Sequence, residues 1–191
     1  ELLNASQRID LSEARTLLFL ARLHPVKGLE LLLEGLSLVR PRGWKCKIAG
    51  MGHPSYVLEL QRSVERYGLT DIVSFCGPLG GAEKDLAFSE ASAFILPSYS
   101  ESFGISIAEA MSWGLPVITT HKTPWADICS KKMGWYVTPD IAGISHALFQ
   151  LFNTTNSDLR SMGFRAREYV TNRYSWPYLG SKMSSVYQIL C

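Results

Sequence analysis

Two textures alternate along the chain. Short runs rich in apolar residues occur at 16–21, 44–49, 71–76, 93–96, 117–119 and 134–137. Each is the right length for a strand buried on both faces. Between them lie longer segments with helical spacing. Gly28 opens one with leucines at 29, 32, 33 and 36, and others cover 56–67, 82 to about 90, 104–113, and 140–152 with Ile141, Ile144, Leu148 and Leu151 as apolar positions. Thr123 and Pro124 suit the N-cap and first position of a short helix. Two more helices are expected, from 157 to about 172 and at 181–190, with Tyr174-Ser175-Trp176-Pro177 breaking the pattern between them. Strand, loop and helix in repetition describe an α/β, Rossmann-like three-layer domain around a parallel sheet of about six strands.

Composition narrows the function classes. A chain of 191 residues suits one domain with a sizeable core. Its 19 basic and 17 acidic side chains are interspersed and leave a net charge of +2. No nucleic-acid surface is expected, so any phosphate recognition must be local. Cys46, Cys76, Cys129 and Cys191 form no close pair, and Cys46 and Cys76 fall in strand-like runs where a thiol acts as a small apolar residue. A reducing compartment is expected and a metal site is not. No run approaches a membrane span or reads as a signal peptide, and Arg160, Arg165 and Arg167 read as a solvated helix face rather than a membrane patch.

The chemistry concentrates in residues 91–120, which carry only two charges, Glu101 and Glu109. The first-turn amides of a helix starting at Gly104 have no internal partner and form an anion site. Gly104 has no Cβ to obstruct a ligand near that backbone. Ionised carboxylates accept hydrogen bonds only, so their natural ligands are hydroxyls. Anion-binding amides between two carboxylates therefore suit a polyol phosphate. Favourable interaction with the helix dipole, about 0.3–1 kcal/mol, could account for Glu101 alone. Glu109 lies too deep for that, among Ile107, Ala108, Ala110 and Met111, which read as buried.

Other loops add candidates. Arg22 and Lys27 follow the first strand, at the sheet edge where open α/β folds bind ligands, and both can neutralise phosphate. His24 between them reads as a loop residue. Gly50 and Gly52 after the second strand either admit a nucleotide close to the backbone or simply turn the chain. The same two readings apply to Gly77-Pro78-Leu79-Gly80-Gly81 after the third. The loop from His121 to Trp125 reads as structural.

Ser100-Glu101-Ser102-Phe103-Gly104-Ile105-Ser106-Ile107-Ala108-Glu109-Ala110-Met111, followed by Gly114-Leu115-Pro116-Val117-Ile118, closely resembles the signature of retaining glycosyltransferases of the GT-B class that includes glycogen synthase and sucrose synthase. The resemblance implies that Glu101 contacts hydroxyls of the donor sugar and that the amides of Phe103, Gly104, Ile105 and Ser106 contact sugar and phosphate. It assigns Glu109 to the ribose hydroxyls and Arg22 and Lys27 to the diphosphate leaving group. Gly77, Pro78 and Leu79 would border the nucleobase through backbone groups, with Gly50 and Gly52 nearby. It further implies the C-terminal half of a two-domain enzyme. Residues 1–14 would be an interdomain connector, 15–173 the nucleotide-sugar-binding domain, and 174–191 a helix returning to an N-terminal acceptor-binding domain. The expected donor is a nucleoside diphosphate sugar such as a UDP-sugar, used in polysaccharide, lipopolysaccharide or glycolipid synthesis in the cytoplasm or at the cytoplasmic face of a membrane, where the full-length protein would associate peripherally. The chain alone should transfer little. No Asp-x-Asp pair occurs, in keeping with protein cations in place of a metal.

Two alternatives stand beside this. A dinucleotide-dependent oxidoreductase would use Gly50-Met51-Gly52-His53-Pro54-Ser55, but the third glycine is Ser55 and no acidic residue closes a following strand. A non-catalytic nucleotide- or sugar-binding module would explain the sheet without explaining cations and carboxylates at one edge.

Overall fold

The computed structural model describes residues 15–174. Six strands, β1 (Arg15–Leu20), β2 (Trp44–Ala49), β3 (Val73–Gly77), β4 (Ala93–Leu96), β5 (Val117–Thr120) and β6 (Gly134–Val137), alternate with α1 (Leu29–Val39), α2 (Pro54–Arg66), α3 (Gly81–Glu90), α4 (Ile105–Ser112) and α5 (Asp127–Ser130). Two helices, α6 (Ile141–Asn153) and α7 (Asn156–Tyr174), close the described chain. All strand pairs are parallel, in the order β3-β2-β1-β4-β5-β6. The expected Rossmann-like α/β sheet is the one observed.

The central strands are hidden on both faces, which is why they read as apolar runs without alternation. Leu17, Leu18 and Phe19 of β1 and all of β4 and β5 are buried. Each such Leu, Ile or Phe contributes about 1.5–3 kcal/mol through burial. Right-handed crossovers place α1 and α2 on one face of the sheet and α3 and α4 on the other. There α1 packs on α6, and α4 packs on α7. The second contact needs glycine, because a Cβ at Gly163 would lie 1.9 Å from the Gly114 carbonyl oxygen.

Strand order reverses between β1 and β4. The chain leaves β1 towards β2 on one side and leaves β4 towards β5 on the other. The loops following β1 and β4 therefore diverge and leave a crevice at the carboxyl edge, where ligands of open α/β sheets bind.

Several expectations need correction. β3 begins at Val73, because the Ile72 and Val73 amides both donate to the Leu69 carbonyl and hold 71–72 in a turn. Thr123 and Pro124 do not start a helix. The Thr123 hydroxyl donates to the Thr120 carbonyl (3.0 Å) and its own carbonyl accepts from Tyr136 Oη (2.9 Å), so the residue closes a buried turn and α5 begins only at Asp127. α7 reaches Tyr174, two residues past the expected end near 172. Cys76 is exposed, unlike Cys46, whose thiol is pushed up to about 12 by burial and secondarily by Cys76. The connector at 1–14, the helix at 181–190 and Cys191 lie outside the described residues. Among the described residues, no helix is long and apolar enough to cross a membrane.

Candidate functional site

The crevice is built by two loops locked to each other. After β1, Pro25–Lys27 make a short 3-10 turn, with His24 as its N-cap accepting from the Val26 amide, and Gly28 at φ +69° redirects the chain into α1. A Cβ at Gly28 would lie 2.2 Å from the Pro97 carbonyl oxygen, so only glycine lets the β4 loop come this close. The Tyr99 amide donates to the Val26 carbonyl (2.8 Å). This backbone splice carries Lys27 to Glu101, and the two side chains form a hydrogen-bonded ion pair with only 15% of each exposed.

Beside that pair, α4 starts at Ile105 with Gly104 as its N-cap at φ +80°, and no side chain caps its first turn. The Ile107 and Ala108 amides turn back to the Gly104 carbonyl, leaving those of Ile105 and Ser106 to face the opening. Lys27, Glu101, Ser102, Phe103, Gly104, Ile105 and Ser106 line one hollow of about 330 Å³. A cation, a carboxylate and a free helix end thus converge at the strand-order reversal. That set can take a ligand with both negative charge and hydroxyls.

The back of this loop is braced by residues that sequence reasoning read only as a structural loop. The Glu101 amide donates to the Lys122 carbonyl (3.1 Å). The buried Trp125 indole donates to the Phe103 carbonyl (2.5 Å) while its ring meets Phe103 at 5.3 Å between centroids. Tyr174 of α7 meets Phe103 edge-on and Trp125 at a tilt. Thr119 and Thr120 hydroxyls donate to the Leu96 and Ser98 carbonyls, fixing the end of β4 to β5. Ser98 Oγ is buried there with no hydrogen-bond partner.

The other candidates occupy different surroundings. Arg22 is exposed on the β1 loop and does not line the hollow. Glu109 also lies outside its lining, half-buried on α4, where Oε1 accepts from Lys84 Nζ of α3 at 2.5 Å. Lys84 carried no sequence signal because its partner is 25 residues away on another helix. Gly50 and Gly52 give close approach to their own chain. A Cβ on either would lie 1.8 Å from the Ala21 carbonyl oxygen or 2.4 Å from that of Leu23. The Gly50 amide donates to the Gly77 carbonyl (2.8 Å), so the three loops on this side are laced together. Gly77, at φ +71°, has open space where a Cβ would sit, next to Pro78. Leu79 lines a separate groove of about 220 Å³ with Leu86 and Ala87 of α3. Among the described residues, no group of three or more His, Cys, Asp or Glu side chains is arranged to hold a metal ion.

The model of the family described as "Glycosyl transferases group 1" matches residues 14–154. The chain belongs to that family. It is 27% identical over 180 residues to a putative colanic acid biosynthesis glycosyltransferase of Salmonella typhimurium, covering 89% of this chain and 44% of that protein. Sucrose-phosphate synthase from Thermosynechococcus elongatus superposes with a TM-score of 0.79 at 26% identity, over 98% of this chain and 46% of that one. The fold is also that of HepE from Anabaena, solved with UDP and glucose, at a TM-score of 0.77 and 20% identity over 93% of this chain and 49% of that one. This group 1 glycosyl transferase chain spans about half the length of the curated relatives it matches along most of its sequence.

Proposed function

We propose that this domain is the donor-binding half of a retaining glycosyltransferase that moves a sugar from a nucleoside diphosphate to an acceptor hydroxyl in polysaccharide, lipopolysaccharide or glycolipid synthesis. The observation that carries this reading is the Lys27–Glu101 pair at the mouth of the uncapped α4 helix.

The chemistry follows from charge. The anomeric C–O bond breaks, the diphosphate leaves with the bonding electrons, and the acceptor oxygen forms the new bond as its proton passes to the departing phosphate oxygen. Negative charge grows on the leaving group while the anomeric carbon becomes cation-like. Lys27 and the Ile105 and Ser106 amides stand where they can stabilise the first, with no reorganisation needed at the moment of reaction. Arg22, at the same loop, would reach the diphosphate by swinging its long side chain inward. Glu101 takes the sugar hydroxyls and Glu109 those of the ribose, with the nucleobase over the open backbone at Gly77. An N-terminal domain would supply the acceptor. Exposed Met51 and Ile105 at this edge support such a partner, since large apolar side chains there are suited to burial against a second domain.

Calorimetry with UDP, GDP and ADP tests the reading. One of them should bind, and Lys27→Ala and Arg22→Ala should each weaken it by about 10-fold or more. Unchanged affinity in both variants would remove the assignment.

A further inference from the structure

Lys84 belongs to no part of the site as derived so far, yet it holds Glu109. Glu109 is five residues into α4, beyond the turn where a helix end stabilises a carboxylate. Its helix neighbours Ile107, Ala110 and Met111 are fully buried. Among the described residues it pairs with the Lys84 ammonium, which reaches across from the first turns of α3. The two side chains are 30% and 32% exposed, so the pair is neither sealed in the core nor free in solvent.

The contact uses Oε1 alone. A carboxylate has acceptor capacity at both oxygens, so Oε2 remains available to a pair of adjacent hydroxyls while Lys84 fixes the rotamer of the group. The chain leading into α3 is itself uncrowded, because Gly77, Gly80 and Gly81 have nothing within 4 Å of where a Cβ would be.

We propose that Lys84 is a positioning residue for the nucleoside end of the donor, and that it sets the preference for ribose by holding Glu109 ready for the 2′ and 3′ hydroxyls. This rests on the donor-binding reading above. The lysine acts through the glutamate, so its effect belongs to the ribose and not to the diphosphate, which docks at Lys27 and α4.

Calorimetry on the intact protein with UDP, 2′-deoxy-UDP and inorganic pyrophosphate separates these parts. Lys84→Ala should weaken UDP by about 2- to 5-fold, shrink the UDP to deoxy-UDP ratio and leave pyrophosphate unchanged. Lys84→Arg should recover part of the ratio, and adding Lys84→Ala to Glu109→Ala should cause no further loss. In turnover, Lys84→Ala should raise the donor KM with little change in kcat. If Glu109→Ala collapses the ratio and Lys84→Ala does not, the proposal for Lys84 is overturned and the donor-binding reading stands. If Glu109→Ala itself leaves the ratio intact, the ribose role of Glu109 fails, and Lys84 with it.

Discussion

Two lysine–glutamate pairs stand at the carboxyl edge of the sheet, and they are assembled in opposite ways. Lys27 and Glu101 are brought together by backbone, through the Tyr99 to Val26 hydrogen bond and the approach of Gly28 to the Pro97 carbonyl. Lys84 and Glu109 meet by side-chain reach alone, across two helices of which α3 starts at open glycines. The first pair is about half as exposed to solvent as the second. A group that must stabilise charge during a reaction gains from being fixed beforehand, whereas one that grips hydroxyls of a bound ligand can adjust. The contrast matches the roles proposed for them.

The largest difference should appear in catalysis. Lys27→Ala in the intact enzyme is expected to lower kcat/KM by about 10²- to 10³-fold, the usual loss on removing a donor to developing negative charge. Lys84→Ala should stay within the few-fold range given above. Equal losses in steady-state assays would erase the distinction between the pairs.

Stability offers the next test. Gly28 and Gly81 both have positive φ, at +69° and +49°, but only Gly28 would drive a Cβ into backbone. Gly81→Ala should cost about 1 kcal/mol from strain alone. Gly28→Ala should reach about 3 kcal/mol because the collision adds to it. Urea unfolding that finds the two alike would show that the inner loops are not spliced as described.

The brace behind the inner pair is worth less. Trp125→Phe keeps the ring against Phe103 and Tyr174 but deletes the indole donor, so a loss of about 1 kcal/mol is expected in the same assay. No loss would mean that ring packing alone holds the loop.

The smallest effect separates the pairs by ionic strength. A double-mutant cycle on Lys84 and Glu109 should give a coupling of about 0.2–1 kcal/mol that shrinks as salt is raised. The Lys27–Glu101 coupling should respond less, since its charges are better shielded from solvent. Matching salt slopes would contradict that.

The sheet was legible because its strands are short and punctuated by glycine and its central ones are buried on both faces, so 44–49, 93–96 and 134–137 could be read to the residue. The inner pair was half legible. Both residues stand out, Glu101 as one of two charges in an apolar stretch and Lys27 after the first strand, but their meeting depends on the strand-order reversal. Lys84 was not legible, because nothing local distinguishes it from any exposed helix lysine. Trp125 was hidden by a plausible cap at Thr123, where tertiary hydrogen bonds to Thr120 and Tyr136 prevailed over the local helix signal. Gly50 and Gly52 show the converse. Their pattern left open either room for a ligand or a plain turn, and where their Cβ atoms would sit the space is taken by Ala21 and Leu23.

The bond between Lys27 and Glu101 also bears on what the cleft refuses. Its cation already has a counter-ion, so any anion that docks against Lys27 must compete with the Glu101 carboxylate. A molecule carrying alcohols and phosphate together satisfies both former partners at once. On the donor-binding reading, the pair would therefore favour a sugar phosphate over a small anion that offers the carboxylate fewer hydroxyls.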